Sequence, residues 1–312
     1  MIFKNRHAIL IIMISTLFNL IQNGCKKNDQ QNTKSTVEKL VIQNIGSDTI
    51  VNLAQAWAEE YAKINPLVSI EVSGGGSGTG IAALANNTVD IANCSRQMIA
   101  EEVERVKNNT GKEPKEFVVG YDGLAVYVHK NNPLDKIAIE QLAEIYGEGG
   151  NITSWPQLGI DNVACSGNEI IRVSRQSNSG TYYYFREALL GETRDFKLGS
   201  IDLNGSKDVV ELVGNTPCAI GYSGMGYRTE QVKMLSISKN IGDTAFEPSV
   251  ESVLNKTYPI ARPLYMYTPG EPTGEIKKYI EWILSDSGQQ IVEENGYVPL
   301  PKEMRSGIDT IQ

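Results

Sequence analysis

Histidine is almost missing from this chain: there are two in 312 residues, and only His129 lies beyond the N-terminal segment. A Ser–His hydrolase would have to use His129 as its only base. A zinc site is short of ligands, because the chain carries no C-x-x-C either. Cysteine is sparse. Of the four, Cys94, Cys165 and Cys218 remain once Cys25 is set aside. An odd number excludes a fully paired framework, while one bridge between Cys165 and Cys218 stays possible. Positive charge is in deficit, since 29 Lys and Arg against 37 Asp and Glu leave a net charge of −8. Nucleic acid wants a basic face, so that class of partner is excluded. A small anion is not, because local donors hold it rather than net charge. The apolar run at residues 8–21 stops short of the roughly 20 residues a membrane-spanning helix needs.

What is present describes an ordinary globular protein, 41% apolar and 21% charged, long enough for two lobes with their own cores. Lys4 and Arg6 precede the apolar run, and Gln22-Asn23-Gly24-Cys25 follow it. Residues 1–25 therefore read as a signal peptide. Its end resembles a bacterial lipobox, with Cys25 as the residue that becomes lipidated and Gln22 where most lipoboxes carry Leu. Residues 26–36 are polar and rich in Asn, Gln and Lys, which suits a tether.

Strands then alternate with helices. Strands are predicted at 40–45, 68–72, 89–92, 117–119, 124–129, 169–173, 219–222 and 264–267. Helices are predicted at 50–61, 81–85, 101–107, 139–146, 182–190, 208–213, 274–284 and 288–294. This alternation defines an α/β fold with mostly parallel sheets. Lys130-Asn131-Asn132-Pro133 reads as the crossing into a second lobe.

The chemistry is concentrated in loops that follow strands. Residues 174–185, S-R-Q-S-N-S-G-T-Y-Y-Y-F, place Arg175, Ser179, Gly180 and Thr181 between a strand and a helix. Such a turn leaves backbone N–H groups unpaired at the positive end of a helix dipole, and a guanidinium beside it can grip two oxygens. The plain alternative is a helix cap by Ser179 or Thr181. Residues 73–80, S-G-G-G-S-G-T-G, repeat the design and add Ser77. A Walker A loop would need Lys where Ile81 stands. A dinucleotide loop would need its acid later than Asp90. Ser47, Asp48 and Thr49 open the first helix, where one of them suffices as a cap. Ser95 and Arg96 end the third strand at its carboxyl edge, where ligands bind in open α/β sheets. No nucleophile–base pair accompanies these donors, so they describe binding without catalysis, metal or cofactor.

The order Gly46-Ser47-Asp48-Thr49 with Trp57, Gly74-Gly75-Gly76-Ser77-Gly78-Thr79-Gly80, Val89-Asp90-Ile91-Ala92-Asn93, and Arg175 followed by Ser179-Gly180-Thr181 resembles the PstS-like family, the extracytoplasmic phosphate-binding proteins of ABC importers. The resemblance implies a two-lobed periplasmic-binding-protein-like fold with mixed, mostly parallel sheets and a two-stranded hinge. Lobe one would hold residues 37–128 and 261–312, and lobe two residues 129–260. It implies a monomer that captures inorganic phosphate between the lobes and passes it to ABC permease subunits, held at a membrane by its lipid anchor. Ser47, Asp48, Thr49, Ser77, Ser95, Arg96, Arg175, Ser179, Gly180 and Thr181 are the expected ligand contacts.

Many members of the family carry an Asp at the end of the third strand that accepts the proton of hydrogen phosphate, and this chain has Ser95 there. Asp48 is the expected substitute. Other readings of the same scaffold are a binding protein for sulfate or molybdate, and a phosphate sensor without transport.

Overall fold

The structure, a computed structural model, describes residues 39–305. The expected signal segment with Cys25 and the tether at 26–36 lie outside the described residues. From its start the chain forms β1 (Leu40–Gly46), α1 (Val51–Ile64), β2 (Val68–Ser73), α2 (Ser77–Ala85), β3 (Ile91–Cys94), α3 (Ala100–Thr110) and the long β4 (Lys115–His129). Next come β5 (Lys136–Ala138), α4 (Ile139–Tyr146), β6 (Ile171–Arg175), α5 (Gly180–Leu190), β7 (Ile201–Leu203), α6 (Ser206–Asn215) and β8 (Ala219–Gly224). The remainder is β9 (Val232–Met234), β10 (Ser236–Ser238), α7 (Val250–Leu254), β11 (Ala261–Thr268), α8 (Gly274–Leu284) and α9 (Asp286–Glu294).

Nine of these strands make one sheet in the order β2-β1-β3-β11-β4-β8-β6-β7, with β9 also on β4. Its flanks are parallel: β2-β1-β3 on one side and β8-β6-β7 on the other. Its middle is antiparallel, because β11 and β4 run against their neighbours. Strands β5 and β10 form a separate parallel pair. The α/β class and the mixed sheet agree with the sequence expectation.

One expectation is corrected. The runs at 117–119 and 124–129 are one strand, since Gly120 and Gly123 between them pair with Leu264 and Ala261 of β11. The strand also changes its neighbour along its length. Residues up to Gly123 pair with β11, and Leu124 to Val128 pair with β8. Pairing with β11 outweighs the weak strand preference of glycine.

Burial explains why the elements pack. In α1, Leu53, Ala54, Trp57 and Tyr61 make the buried stripe of an amphipathic helix. The Trp57 Nε1–H donates to the Gly288 carbonyl at 2.8 Å, fastening α1 to α9. Strand β8 is buried at every position, as a strand covered on both faces must be. Phe185 of α5 stacks on Tyr222 of β8 with centroids 3.8 Å apart, anchoring that helix. Cys165 and Cys218 form a disulfide, and Cys94 is free and buried. No helix among the described residues is long and apolar enough to cross a membrane.

Candidate anion-binding site

The carboxyl ends of β1, β2, β3 and β6 converge, and the loops that leave them carry the site. Ser47 and Thr49 follow β1, Ser77 opens α2, Ser95 follows β3, Arg175 ends β6, and Ser179 caps α5. All six are 2% exposed or less. The Ser47 hydroxyl donates to Ser95 Oγ at 2.8 Å, and Ser77 Oγ accepts the Ser95 N–H at 3.1 Å. Thr49 and Thr181 share a hydrogen bond of 2.7 Å between their hydroxyls. Ser179 Oγ accepts from the N–H groups of Thr181 and Tyr182, so it is a cap, yet its own proton stays free to donate.

Two glycines allow the loops to meet. A Cβ on Gly180 would sit 2.3 Å from Ser77 Oγ and 2.7 Å from Ser95 Oγ. Gly76 has φ 91°, and a Cβ there would lie 2.7 Å from the Asn178 carbonyl. With neither Cβ present, Gly78 N–H donates to that carbonyl at 3.0 Å, and Asn178 Nδ2 donates to the Gly75 carbonyl at 2.8 Å. The first turns of α2 and α5 are thereby locked together, each with N–H groups that have no intrahelical partner.

Arg175 is the charge among these dipoles. Its Nε donates to the Leu203 and Asn204 carbonyls, its Nη1 to Ser206 Oγ at 2.8 Å, and its Nη2 to Asp48 Oδ2 at 3.0 Å and to Asn204 O. A guanidinium has five N–H groups, so one on Nη1 remains unspent. Burial pulls the Arg175 pKa below its ordinary value, the Asp48 carboxylate opposes that, and the nearby Arg262 adds to it.

Asp48, expected to accept the ligand's proton, lies against the arginine. Each of its oxygens already accepts one hydrogen bond, Oδ1 from Gly75 N–H at 3.0 Å and Oδ2 from Arg175. Its first task here is to hold the arginine; only its remaining lone pairs could receive a ligand proton. Arg96 is not brought into the cluster. Both its Nη atoms grip the Glu102 carboxylate at 2.7 Å, and its guanidinium lies 4.9 Å from the centre of the Tyr183 ring. The reason is local: Glu102 in the first turn of α3 caps that helix and draws the cation toward it.

The structure adds a second buried pair that the motifs did not reveal. Arg262 on β11 and Asp122 on β4 face each other across the antiparallel ladder and form an ion pair at 2.9 Å, 1% and 0% exposed. Arg262 also donates to the Ser95 carbonyl at 3.0 Å and to Thr181 Oγ1 at 3.0 Å. A strand arginine beside a proline offers only a weak hint of this in sequence. With two arginines and two aspartates, the cluster is formally neutral before any ligand enters. The groups it offers to an anion are hydroxyls, helix ends and spare guanidinium N–H groups.

Known proteins resemble the chain over most of its length. Residues 30–287 match the family model of the PBP superfamily domain. The phosphate-binding protein PstS of Pseudomonas aeruginosa is 34% identical over 273 residues, 84% of each chain. PstS of Bacillus subtilis is 29% identical over 306 residues, 95% of each. A Clostridium perfringens structure with bound phosphate, described as a phosphate ABC transporter substrate-binding protein, is 30% identical with a TM-score of 0.74 over 84% of this chain and 100% of its own. The chain belongs to the PstS-like phosphate-binding proteins of the PBP superfamily.

Proposed function

We propose that this protein captures inorganic phosphate outside the cytoplasm and delivers it to an ABC importer. The observation that carries the reading is the convergence of Arg175 and the first turns of α2 and α5 on one buried group of hydroxyls. Relatives that carry the PstS name support the same ligand. In this reading Ser47, Thr49, Ser77, Ser95, Ser179, Gly180 and Thr181 line the phosphate, Arg175 neutralises it, and Asp48 keeps Arg175 in place. Residues 37–128 with 261–312 act as one lobe and 129–260 as the other. They close through the bonds of Asn178 to the glycine loop and of Arg175 to Asp48. The protein binds and releases its ligand unchanged, acting as a monomer that permease subunits recognise. Cys25 carries the lipid that anchors it.

The experiment is calorimetric titration of the protein after ligand has been stripped by unfolding and refolding. Phosphate is expected to bind tightly, with sulfate and molybdate far weaker. No heat with phosphate would overturn the reading, and equal binding of sulfate would reassign the ligand class.

A further inference from the structure

Asp48 is held at three atoms by three different segments. Its carboxylate takes the Gly75 N–H and Arg175 Nη2, and its main-chain carbonyl accepts the phenol of Tyr227. The next carbonyl, that of Thr49, accepts the phenol of Tyr297. Two tyrosines, 179 and 248 positions away in the chain, therefore fix successive peptide planes of the loop after β1. Bonds inside the loop hold it weakly. Helix α1 begins without a side-chain cap. Between Ser47 and Ile50 there is one turn, from the Ile50 N–H to the Ser47 carbonyl at 3.0 Å, and a long contact of 3.3 Å from the Thr49 N–H to Ser47 Oγ.

The two phenols reach adjacent carbonyls because their segments touch. Tyr227 ends the short turn Met225–Tyr227 after β8, and Tyr297 follows α9. A Cβ on Gly226 would lie 2.6 Å from the Asn295 carbonyl and 2.7 Å from Tyr297 Cε2, so the two turns pack only because Gly226 lacks one. The start of the first turn is fixed as well. Tyr127 Oη donates to the Gly224 carbonyl at 2.9 Å, and Asp122 Oδ1 accepts the Met225 N–H at 3.0 Å. Tyr227 and Tyr297 are both buried, and burial holds their phenols above the ordinary pKa, so each keeps the proton it donates.

We propose that Tyr227 is a positioning residue of the anion site: its bond to the Asp48 carbonyl turns the Asp48 carboxylate onto Arg175, and so sets how tightly the ligand is held. It acts through Asp48. In the lobe division proposed above, Tyr227 and Arg175 belong to lobe two and Asp48 to lobe one. Asp48 is then gripped by the opposite lobe at both its backbone and its side chain. Without the phenol the carbonyl loses its partner, and the peptide plane is free to turn and carry the carboxylate off the guanidinium. The inference rests on phosphate being the ligand.

The test is a double-mutant cycle on phosphate affinity, measured by calorimetry on the full protein well below its melting temperature. Tyr227→Phe removes one oxygen and should weaken phosphate binding about tenfold. Asp48→Ala removes the carboxylate and should weaken binding as well. Because Tyr227 acts through Asp48, adding Tyr227→Phe to Asp48→Ala should cost no more than about a further twofold. If Asp48→Ala does not fold, Asp48→Asn takes its place in the cycle with the same expectation. Tyr258→Phe is the comparison, since its phenol is also buried but donates to the Leu124 carbonyl at 2.8 Å. It should lower the melting temperature and leave phosphate affinity within about twofold. An unchanged dissociation constant in Tyr227→Phe would overturn the inference. So would losses at Tyr227 and Asp48 that simply multiply, or a loss of affinity in Tyr258→Phe as large as that in Tyr227→Phe. An unaltered protein that binds no phosphate would instead remove the ligand assignment, and this inference with it.

Discussion

Asp48 Oδ2 and Arg175 Nη2 lie 3.0 Å apart although 127 positions separate them in the chain. The pair joins the loop after β1 to the end of β6, and Arg175 is almost wholly buried. Removing one partner leaves the other charge uncompensated, which typically costs about 3–5 kcal/mol. Asp48 retains some exposure, so Asp48→Ala is expected near the low end, read as a lowered denaturation midpoint in urea. Asp48→Asn should also narrow the preference for phosphate over sulfate by about tenfold, because a carboxylate lone pair that could receive a ligand proton is lost. Titration with both anions checks this. Unchanged selectivity would assign the acceptor role to the serine group.

Gly180→Ala separates folding from binding. The added methyl sits at the first position of α5, where alanine is a better helix former than glycine. In the closed cluster it would collide with Ser77 and Ser95. The variant should unfold at the same temperature or higher and bind phosphate at least about tenfold more weakly, since closure must open by the width of a methyl. Circular dichroism and calorimetry on one preparation test both halves. Unaltered affinity would mean that the two loops do not close on each other in solution.

Arg96→Ala should leave phosphate affinity within about threefold. The guanidinium is committed to Glu102 and Tyr183. Its loss should instead lower stability by about 1–3 kcal/mol, through the unpaired carboxylate of the α3 cap. A large loss of affinity with unchanged stability would place Arg96 back among the ligand contacts.

The disulfide closes a span of 53 residues, for which the chain-entropy account gives about 4 kcal/mol. Cys165 and Cys218 precede the amino ends of β6 and β8, whereas Arg175 ends β6 at the opposite end. Reduction should lower the melting temperature and leave the phosphate dissociation constant as it was. Cys94 is buried and burial raises its thiol pKa, so it should resist alkylation until the protein unfolds. Rapid labelling of Cys94 in the folded state would contradict its placement.

Alkali should unfold the protein. Burial raises the phenol pKa values of Tyr127, Tyr146, Tyr258 and Tyr297 well above the ordinary value. In the unfolded chain these phenols ionise near pH 10. Above that pH the unfolded state binds fewer protons than the folded state, so stability falls as pH rises. The stability these groups contribute is fully present below about pH 10 and declines beyond it. Urea denaturation across that range should show a falling midpoint; a flat profile would show that these phenols are not buried in solution.

The local features of this protein were legible in its sequence because local physics decides them. Strand–loop–helix alternation follows from hydrophobic period and from Gly, Ser and Pro. The donor loops around Ser77 and Ser179 follow from small residues at helix starts, and the disulfide was left as a possibility by cysteine number. Even so, α2 and α5 begin at Ser77 and Gly180, earlier than predicted, because the small residues read as loop are themselves first-turn residues. The fates of the charges were different. Arg96 and Arg175 both lie at the end of a strand beside serines; the nearby cap of α3 drew one to Glu102, and only tertiary structure brought the other to Asp48 and Ser206. Asp122 and Arg262 lie 140 positions apart and meet because β4 and β11 pair in one register. Sheet pairing brings distant residues together through backbone hydrogen bonds that carry no residue-specific signal. The sequence by itself therefore determined the scaffold and the kind of ligand; the tertiary structure decided which charges hold which hydroxyls.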